Sequence, residues 1–265
     1  MSPLLVKANK AGGKIVEVTP ASAGWTHVGF AAHRLQAGEQ VTLQTGSREL
    51  CIVVLTGTVT VQAGEETWRE IGNRQSVFAD ISPYAVYVPL ETAVGITAQS
   101  AAEVALCSAP ATTRRAARLI DPQSMTRSVR GKGANTRYVC DILPQTAEAD
   151  GLLVVEVVTP SGHSSSYPPH KHDSDNIPTE SSLEETYYHR LNPEQGFAFQ
   201  RVYTDDRSLD EAMAVENHDV VMVPRGYHPV TVPYGYDGYY LNVMAGPQRA
   251  WHFKNDPAHE WLMSK

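Results

Sequence analysis

Cysteine is scarce in this chain. Three occur in 265 residues, Cys51, Cys107 and Cys140. They are widely spaced and odd in number, and no C-x-x-C is present, which argues against a disulfide framework and a thiolate metal knuckle. Cys51 and Cys107 sit in apolar, strand-like runs and read as buried inert thiols, as a reducing cytoplasm would keep them. Charge is sparse as well, at 19%, and positive charge is the scarcer sign: 22 Lys and Arg against 29 Asp and Glu give a net charge of −7. That argues against nucleic acid as the main partner, since phosphate binding wants a basic surface. A small anionic substrate remains open, because one or two arginines in a pocket suffice for it. No apolar run approaches the length of a membrane span, and Met1–Lys7 lacks the basic-then-apolar build of a secretory leader. The expectation is a cytoplasmic protein with neither membrane nor nucleic-acid partners. Helical periodicity is also missing, so few helices are expected.

What the chain has instead is short strands. Gln40–Leu43, Leu50–Leu55, Thr58–Val61, Ala85–Val88, Val94–Ala98 and Glu103–Cys107 form a first set, with Val77-Phe78 a further candidate. Tyr138–Leu143, Leu152–Thr159, Glu185–Tyr188, Phe197–Tyr203, Asp219–Val223 and Tyr239–Ala245 form a second. Gly and Pro punctuate both, as in a sandwich or barrel. Residues 110–136 break the rhythm with basic residues and glycines. The expected organisation is an arm at 1–24, a β unit at 25–110, a connector at 111–136, a second β unit at 137–248 and a tail at 249–265. The strand at Glu185 is expected to form a hairpin with Phe197–Tyr203 across Asn192-Pro193-Glu194-Gln195-Gly196. The two sets align weakly as a repeat. Thr56-Gly57 matches Gln195-Gly196, Tyr87-Val88-Pro89 matches Met222-Val223-Pro224, Glu49 matches Glu185 and Ala93 matches His228.

The second set carries the chemistry. In Tyr167-Pro168-Pro169-His170-Lys171-His172-Asp173, two histidines stand one residue apart. On an extended chain, residues i and i+2 share a face, so both imidazoles can reach one point. Two prolines disfavour helix before the pair. Downstream, Glu185 lies on a strand and His228 follows a Pro-Gly turn. Three imidazoles and a carboxylate suit a divalent transition metal with positions left for substrate. Glu180 and Glu184 are alternative carboxylates, and Glu184 and Glu185 cannot both face the same interior. Arg130 and Arg137 are candidates for a substrate carboxylate, which guanidinium binds in two-pronged fashion.

The order H-x-H, Glu, then His resembles the cupins, and the duplicated form with one copy lacking ligands resembles a bicupin. Tyr167–Asp173, Leu183–Tyr188, Gly196–Tyr203, Val223–Val230 and Tyr239–Pro247 together resemble the 5-deoxy-glucuronate isomerase family of myo-inositol catabolism, a relative of the 4-deoxy-L-threo-5-hexosulose-uronate ketol-isomerases. The resemblance implies an all-β bicupin and one divalent metal (Zn, Mn, Fe or Ni) on His170, His172, Glu185 and His228. It also implies conversion of 5-deoxy-D-glucuronate to 2-deoxy-5-keto-D-gluconate. The spacing departs from the general cupin pattern, because a loop from Asp173 to Ser182 separates His172 from Glu185. For acid–base chemistry the candidates are Tyr187, Tyr203 and Tyr240, with His189 a further one. For the substrate carboxylate they are Arg201, Arg137 and Arg225. The remaining histidines have no ligand spacing and are expected to be structural or exposed. A cupin-type dioxygenase and a non-enzymatic sugar-binding cupin are the competing readings. A homo-oligomer is compatible with exposed sheet edges.

Overall fold

In the computed structural model, which describes residues 2–264, the chain is built almost wholly from strands. The one α-helix, Pro20–Ala23, is a single turn capped by Thr19 and Ser22. No helix among the described residues is long and apolar enough to cross a membrane. The contacts divide the chain into two units. One comprises Asn9–Thr126 and Asp141–Val154. The other comprises Met1–Ala8, Arg127–Cys140 and Val155–Lys265. The boundaries thus differ from those expected. Most of the arm, including the strand Lys14–Val18, belongs to the first unit, because it pairs with Gly29–Leu35. The connector is not one linker. Arg118–Ile120 pairs with Tyr84–Val88 in the first unit, whereas Thr126–Arg130 is an edge of the second unit's large sheet. Val77-Phe78 forms no strand.

In the first unit a six-stranded sheet runs in the order Arg118–Ile120, Tyr84–Val88, Arg48–Thr56, Ala102–Pro110, Gly29–Leu35, Lys14–Val18. A four-stranded sheet runs Gln40–Gln44, Ala93–Ala98, Val59–Ala63, Glu66–Ile71. Alternation along each strand turns one set of side chains between the sheets. Leu50, Ile52, Val54, Val61, Val94, Val104 and Leu106 all belong to that buried apolar cluster. Each such side chain contributes on the order of 1.5–3 kcal/mol by leaving water.

The second unit repeats the plan. Its seven-stranded sheet has the order Leu5–Val6, Val220–Val223, Glu184–Asn192, Asp237–Ala245, Leu153–Thr159, Arg137–Leu143, Thr126–Arg130. Its four-stranded sheet has Ser164–Ser165, Val230–Thr231, Phe197–Tyr203, Asp210–Glu216. The expected hairpin between Glu184–Asn192 and Phe197–Tyr203 does not form: the chain crosses from one sheet to the other at Asn192–Gly196. Glu184–Asn192 pairs instead with Val220–Val223 and Asp237–Ala245.

Register fixes how the copies correspond, and it shifts the expected repeat by one residue. Leu50 lies opposite Val88, just before Pro89, and Glu185 lies opposite Val223, just before Pro224. Glu185 therefore corresponds to Leu50, not Glu49. Val61, four residues past Gly57, pairs with Ile96, and Gln200, four past Gly196, pairs with Val230. His228 therefore corresponds to Val94, not Ala93. Glu49 faces the other way. It is fully buried and accepts hydrogen bonds from Tyr87 Oη at 2.6 Å and from the backbone N–H groups of Asp150, Gly151 and Leu152. Its role is structural. Cys51, Cys107 and Cys140 are buried and in no disulfide. Burial pushes the Cys51 thiol up to about 12, which keeps it inert.

Candidate metal centre and its cavity

His170 opens a strand of two residues, His170–Lys171, whose sheet partner is Lys254–Asn255 in the tail, and His172 follows directly after it. Alternation sends Lys171 away from its neighbours. Its ammonium meets Asp173 at 2.6 Å and Glu180 at 3.1 Å, so Glu180 is engaged elsewhere. Asp173 also accepts from the Gly226 N–H at 2.8 Å. Gly226 has φ +89°, and a Cβ there would run into the carbonyl of Tyr203, so only glycine fits the turn that delivers His228.

The three imidazoles converge as the spacing predicts. Their ligand atoms lie within 4.8 Å of one another. Ring centroids are 4.8 Å apart for His170 and His228, 5.0 Å for His172 and His228, and 6.2 Å for His170 and His172. Glu185 supplies the carboxylate, with Oε2 3.0 Å from His172 Nε2 and 3.2 Å from His228 Nε2. Glu184, one residue away, points to the other face of its strand.

The second ring nitrogens are tied back. His172 Nδ1 is 3.1 Å from the Leu183 carbonyl, and His228 Nδ1 is 2.8 Å from the Gly226 carbonyl. A carbonyl can only accept, so Nδ1 carries the proton and Nε2 faces the cluster. His228 Nε2 is buried and makes no hydrogen bond. Lone pairs gathered around one buried carboxylate require a positive charge among them, and this donor set fits a divalent transition metal. The electrostatics agree. Burial, then the neighbouring His228 and His172, holds His170 well below the usual imidazole range. Burial would raise Glu185, but the close His172 and His228 imidazoles outweigh it and bring the carboxyl down to about 2.

A hydroxyl cluster adjoins the imidazoles. The Tyr187 and Tyr240 rings meet at 4.7 Å, tilted by 50°, and Tyr187 lies 5.7 Å from His228. Ser166 Oγ is 2.9 Å from Tyr187 Oη and 3.3 Å from Tyr240 Oη. Burial raises both phenols above their ordinary value, so they remain protonated. His189, the further acid–base candidate, is buried. It stacks on Tyr187 at 6.0 Å and meets Gln200 at 2.8 Å, and burial lowers its pKa to about 4.

Beside His170 opens a cavity of about 470 Å³. Arg137 lines it. Burial lowers the pKa of this guanidinium, and it makes one hydrogen bond, to the Asn135 carbonyl at 3.0 Å, with no carboxylate partner among the described residues. Asn135 gives its Nδ2 to the Tyr167 carbonyl, while its Oδ1 is buried without a partner.

Three expected residues are not brought here. Tyr203 gives its hydroxyl to Asp256 at 2.8 Å and lies under the guanidinium groups of Arg201 and Arg207. Arg201 forms a two-pronged pair with Asp210, both bonds 2.7 Å. Both residues sit on the strand face opposite Gln200, away from the imidazoles. Arg225 is exposed on its turn. Sequence reasoning missed Ser166, Asn135 and Phe253, which lie outside the main strands and carry no periodic signal.

A model of the KduI/IolB family matches residues 4–262. A curated 5-deoxy-glucuronate isomerase of Geobacillus kaustophilus is 52% identical over 265 residues, covering 99% of this chain and 96% of its relative. The crystal structure of an IolB-like protein from Salmonella typhimurium superposes with a TM-score of 0.97 at 51% identity, covering 98% of this chain and 99% of that one. An oxalate decarboxylase of Lactobacillus farciminis, 13% identical with a TM-score of 0.65, spans 100% of this chain and 91% of its own. That likeness is one of fold, and it agrees with the bicupin architecture.

Proposed function

The chain belongs to the KduI/IolB family, and on that premise we propose that it is an aldose–ketose isomerase that converts 5-deoxy-D-glucuronate to 2-deoxy-5-keto-D-gluconate in the cytoplasmic breakdown of myo-inositol. The observation that carries this reading is one cavity lined both by His170 of the imidazole cluster and by a half-buried arginine with no acid partner among the described residues. A hydroxy-aldehyde at one end and a carboxylate at the other match that pair.

His170, His172, His228 and Glu185 would hold one divalent transition metal (zinc, manganese, iron or nickel), which would supply Lewis-acid polarisation of the substrate's carbonyl. The chain's own groups do the rest. Arg137 binds the far carboxylate and sets the reacting carbons against the imidazoles. The orphan Asn135 Oδ1 accepts from a sugar hydroxyl. Isomerisation moves a proton from C2 to C1 and the hydroxyl proton from O2 to O1. Tyr187 Oη and Tyr240 Oη, bridged by Ser166 Oγ, carry that hydroxyl proton between the two oxygens. Their raised pKa values suit them to donate rather than to act as phenolates.

The test is to quantify the bound metal, incubate the protein with 5-deoxy-D-glucuronate in the absence of oxygen, and follow the ketose. Arg137→Gln should raise KM about tenfold to a hundredfold, the value of a charge-assisted hydrogen-bond pair, with less change in kcat. Absence of turnover by the metal-loaded protein would reject the reading.

A further inference from the structure

The cavity beside His170 is lined by two chemical kinds of residue: Arg130, Lys132, Asn135 and Arg137 are polar, and Trp251, Phe253 and Leu262, all from the tail, are apolar. Phe253 is the closest of these to the reacting end. Its ring lies 4.7 Å from the ring of His170 and 6.3 Å from that of Trp251, yet 46% of the residue is exposed. A phenylalanine this open buries too little surface for its role to be core packing.

The residues around it are stitched down. His252 exchanges hydrogen bonds with Ser181, through Ser181 N–H to its carbonyl at 2.9 Å and from its own N–H to Ser181 Oγ at 3.0 Å. Lys254 and Asn255 pair with Lys171 and His170. The Asp256 N–H donates to the Pro169 carbonyl at 2.8 Å, and Asp256 accepts from Tyr203. An aromatic ring is thus presented to the cavity on a backbone hydrogen-bonded on both sides. Such a surface has something to recognise.

We infer that Phe253 is the specificity residue of the site, and that it selects acids whose carbon next to the carboxylate is a methylene. This rests on the isomerase reading above, in which Arg137 takes the carboxylate. With the acid seated on Arg137 and the reacting carbons at the imidazoles, the intervening chain runs past the Phe253 ring. In 5-deoxy-glucuronate the carbon beside the carboxylate is CH2. In glucuronate it carries a hydroxyl, which would be pressed against an apolar ring with its hydrogen bond to water lost. A hydrophobic wall rejects an added hydroxyl by roughly tenfold to a hundredfold.

The experiment compares kcat/KM of the metal-loaded enzyme for 5-deoxy-D-glucuronate and D-glucuronate in the wild type, Phe253→Leu and Phe253→Asn, with bound metal quantified for each. Alongside, calorimetry measures binding of the same two acids reduced to alcohols at the aldehyde carbon, which cannot react. The wild type should favour the deoxy acid in both assays. Phe253→Leu should keep that preference within about threefold, since it stays apolar, and Phe253→Asn should narrow it by tenfold or more at unchanged metal content. A ratio unmoved by Phe253→Asn overturns the inference while leaving the isomerase reading intact. So does loss of metal in Phe253→Asn, which would make the residue a brace for His170. If neither sugar turns over, the isomerase reading fails, and calorimetry alone decides: a methylene preference abolished by Phe253→Asn upholds the selector, and equal affinities overturn it.

Discussion

The two barrels of this chain share a register but not a filling. At seven matched interior positions the first has Leu50, Ile52, Val54, Val61, Val94, Val104 and Leu106. The second has Glu185, Tyr187, His189, Gln200, His228, Tyr240 and Asn242. The matching follows from strand pairing: Ile52 lies opposite Leu106 as Tyr187 lies opposite Asn242, and Val54 opposite Val104 as His189 opposite Tyr240. The first set needs no partners beyond contact. The second is buried as deeply, but its side chains mostly answer one another through hydrogen bonds. The comparison teaches that the sheets and their crossovers hold either interior. Where the first barrel has apolar burial, the second has buried polar side chains, one of them with an unpartnered ring nitrogen, His228 Nε2, and that interior can do chemistry.

The sharpest way to break that comparison is to exchange fillings. Glu185→Leu with His228→Val gives the second barrel the residues of the first at two positions. Turnover and metal binding should be abolished, as read by assay and metal analysis. The melting temperature should hold or rise, since replacing a buried ionic pair by well-packed apolar groups is neutral or stabilising by about 1–4 kcal/mol. A large loss of stability would mean that the polar network, not the strand framework, holds that barrel together.

The reverse exchange, Leu50→Glu, leaves a buried carboxylate with no imidazole to meet it. It should cost about 3–5 kcal/mol, the range for a buried charge without its partner, measured by denaturant unfolding. Retained stability would show that the first barrel admits water or a cation.

A smaller effect concerns pH. His189 stands where the first barrel has Val54, and burial lowers its pKa from 6.5 to about 4. As pH falls below 6.5 the unfolded chain takes up this proton before the folded one does. Stability is therefore intact above 6.5 and declines as pH falls to about 4, by about 3 kcal/mol in total. His189→Val should flatten that part of the stability–pH curve, seen in melting temperatures from pH 7 to 4. An unchanged slope would show that His189 takes up its proton without unfolding.

Much of this was legible in the chain. Alternating strands, glycine turns and the absence of helix periodicity led to two β units, because strand period and turn chemistry are local properties. His170 and His172 were readable for the same reason: two residues apart on an extended chain, they have one face to share. His228 followed from its turn context, whereas only the family resemblance set Glu185 apart from Glu180 and Glu184. The repeat was misread by one residue because Pro89 and Pro224 align it while the step from Pro89 to Val94 is one residue longer than that from Pro224 to His228, and only cross-strand pairing shows which neighbour looks inward. Tyr203 and Arg201 were set on the wrong side by the same one-residue ambiguity. Ser166 and Asn135 acquire meaning only from residues far away in sequence, Tyr240 and Tyr167, to which nothing local points.

One feature of the fold bears on how the molecule fails. The segment carrying His170 is held in its sheet by a ladder only two residues long, to a strand more than eighty positions further along the chain. Short, distant pairings open with little free energy, well below what unfolds a sheet of six or seven strands. Gentle heating or dilute urea should therefore silence the protein while its β spectrum stays whole, and a protease that nicks the loosened end should do the same.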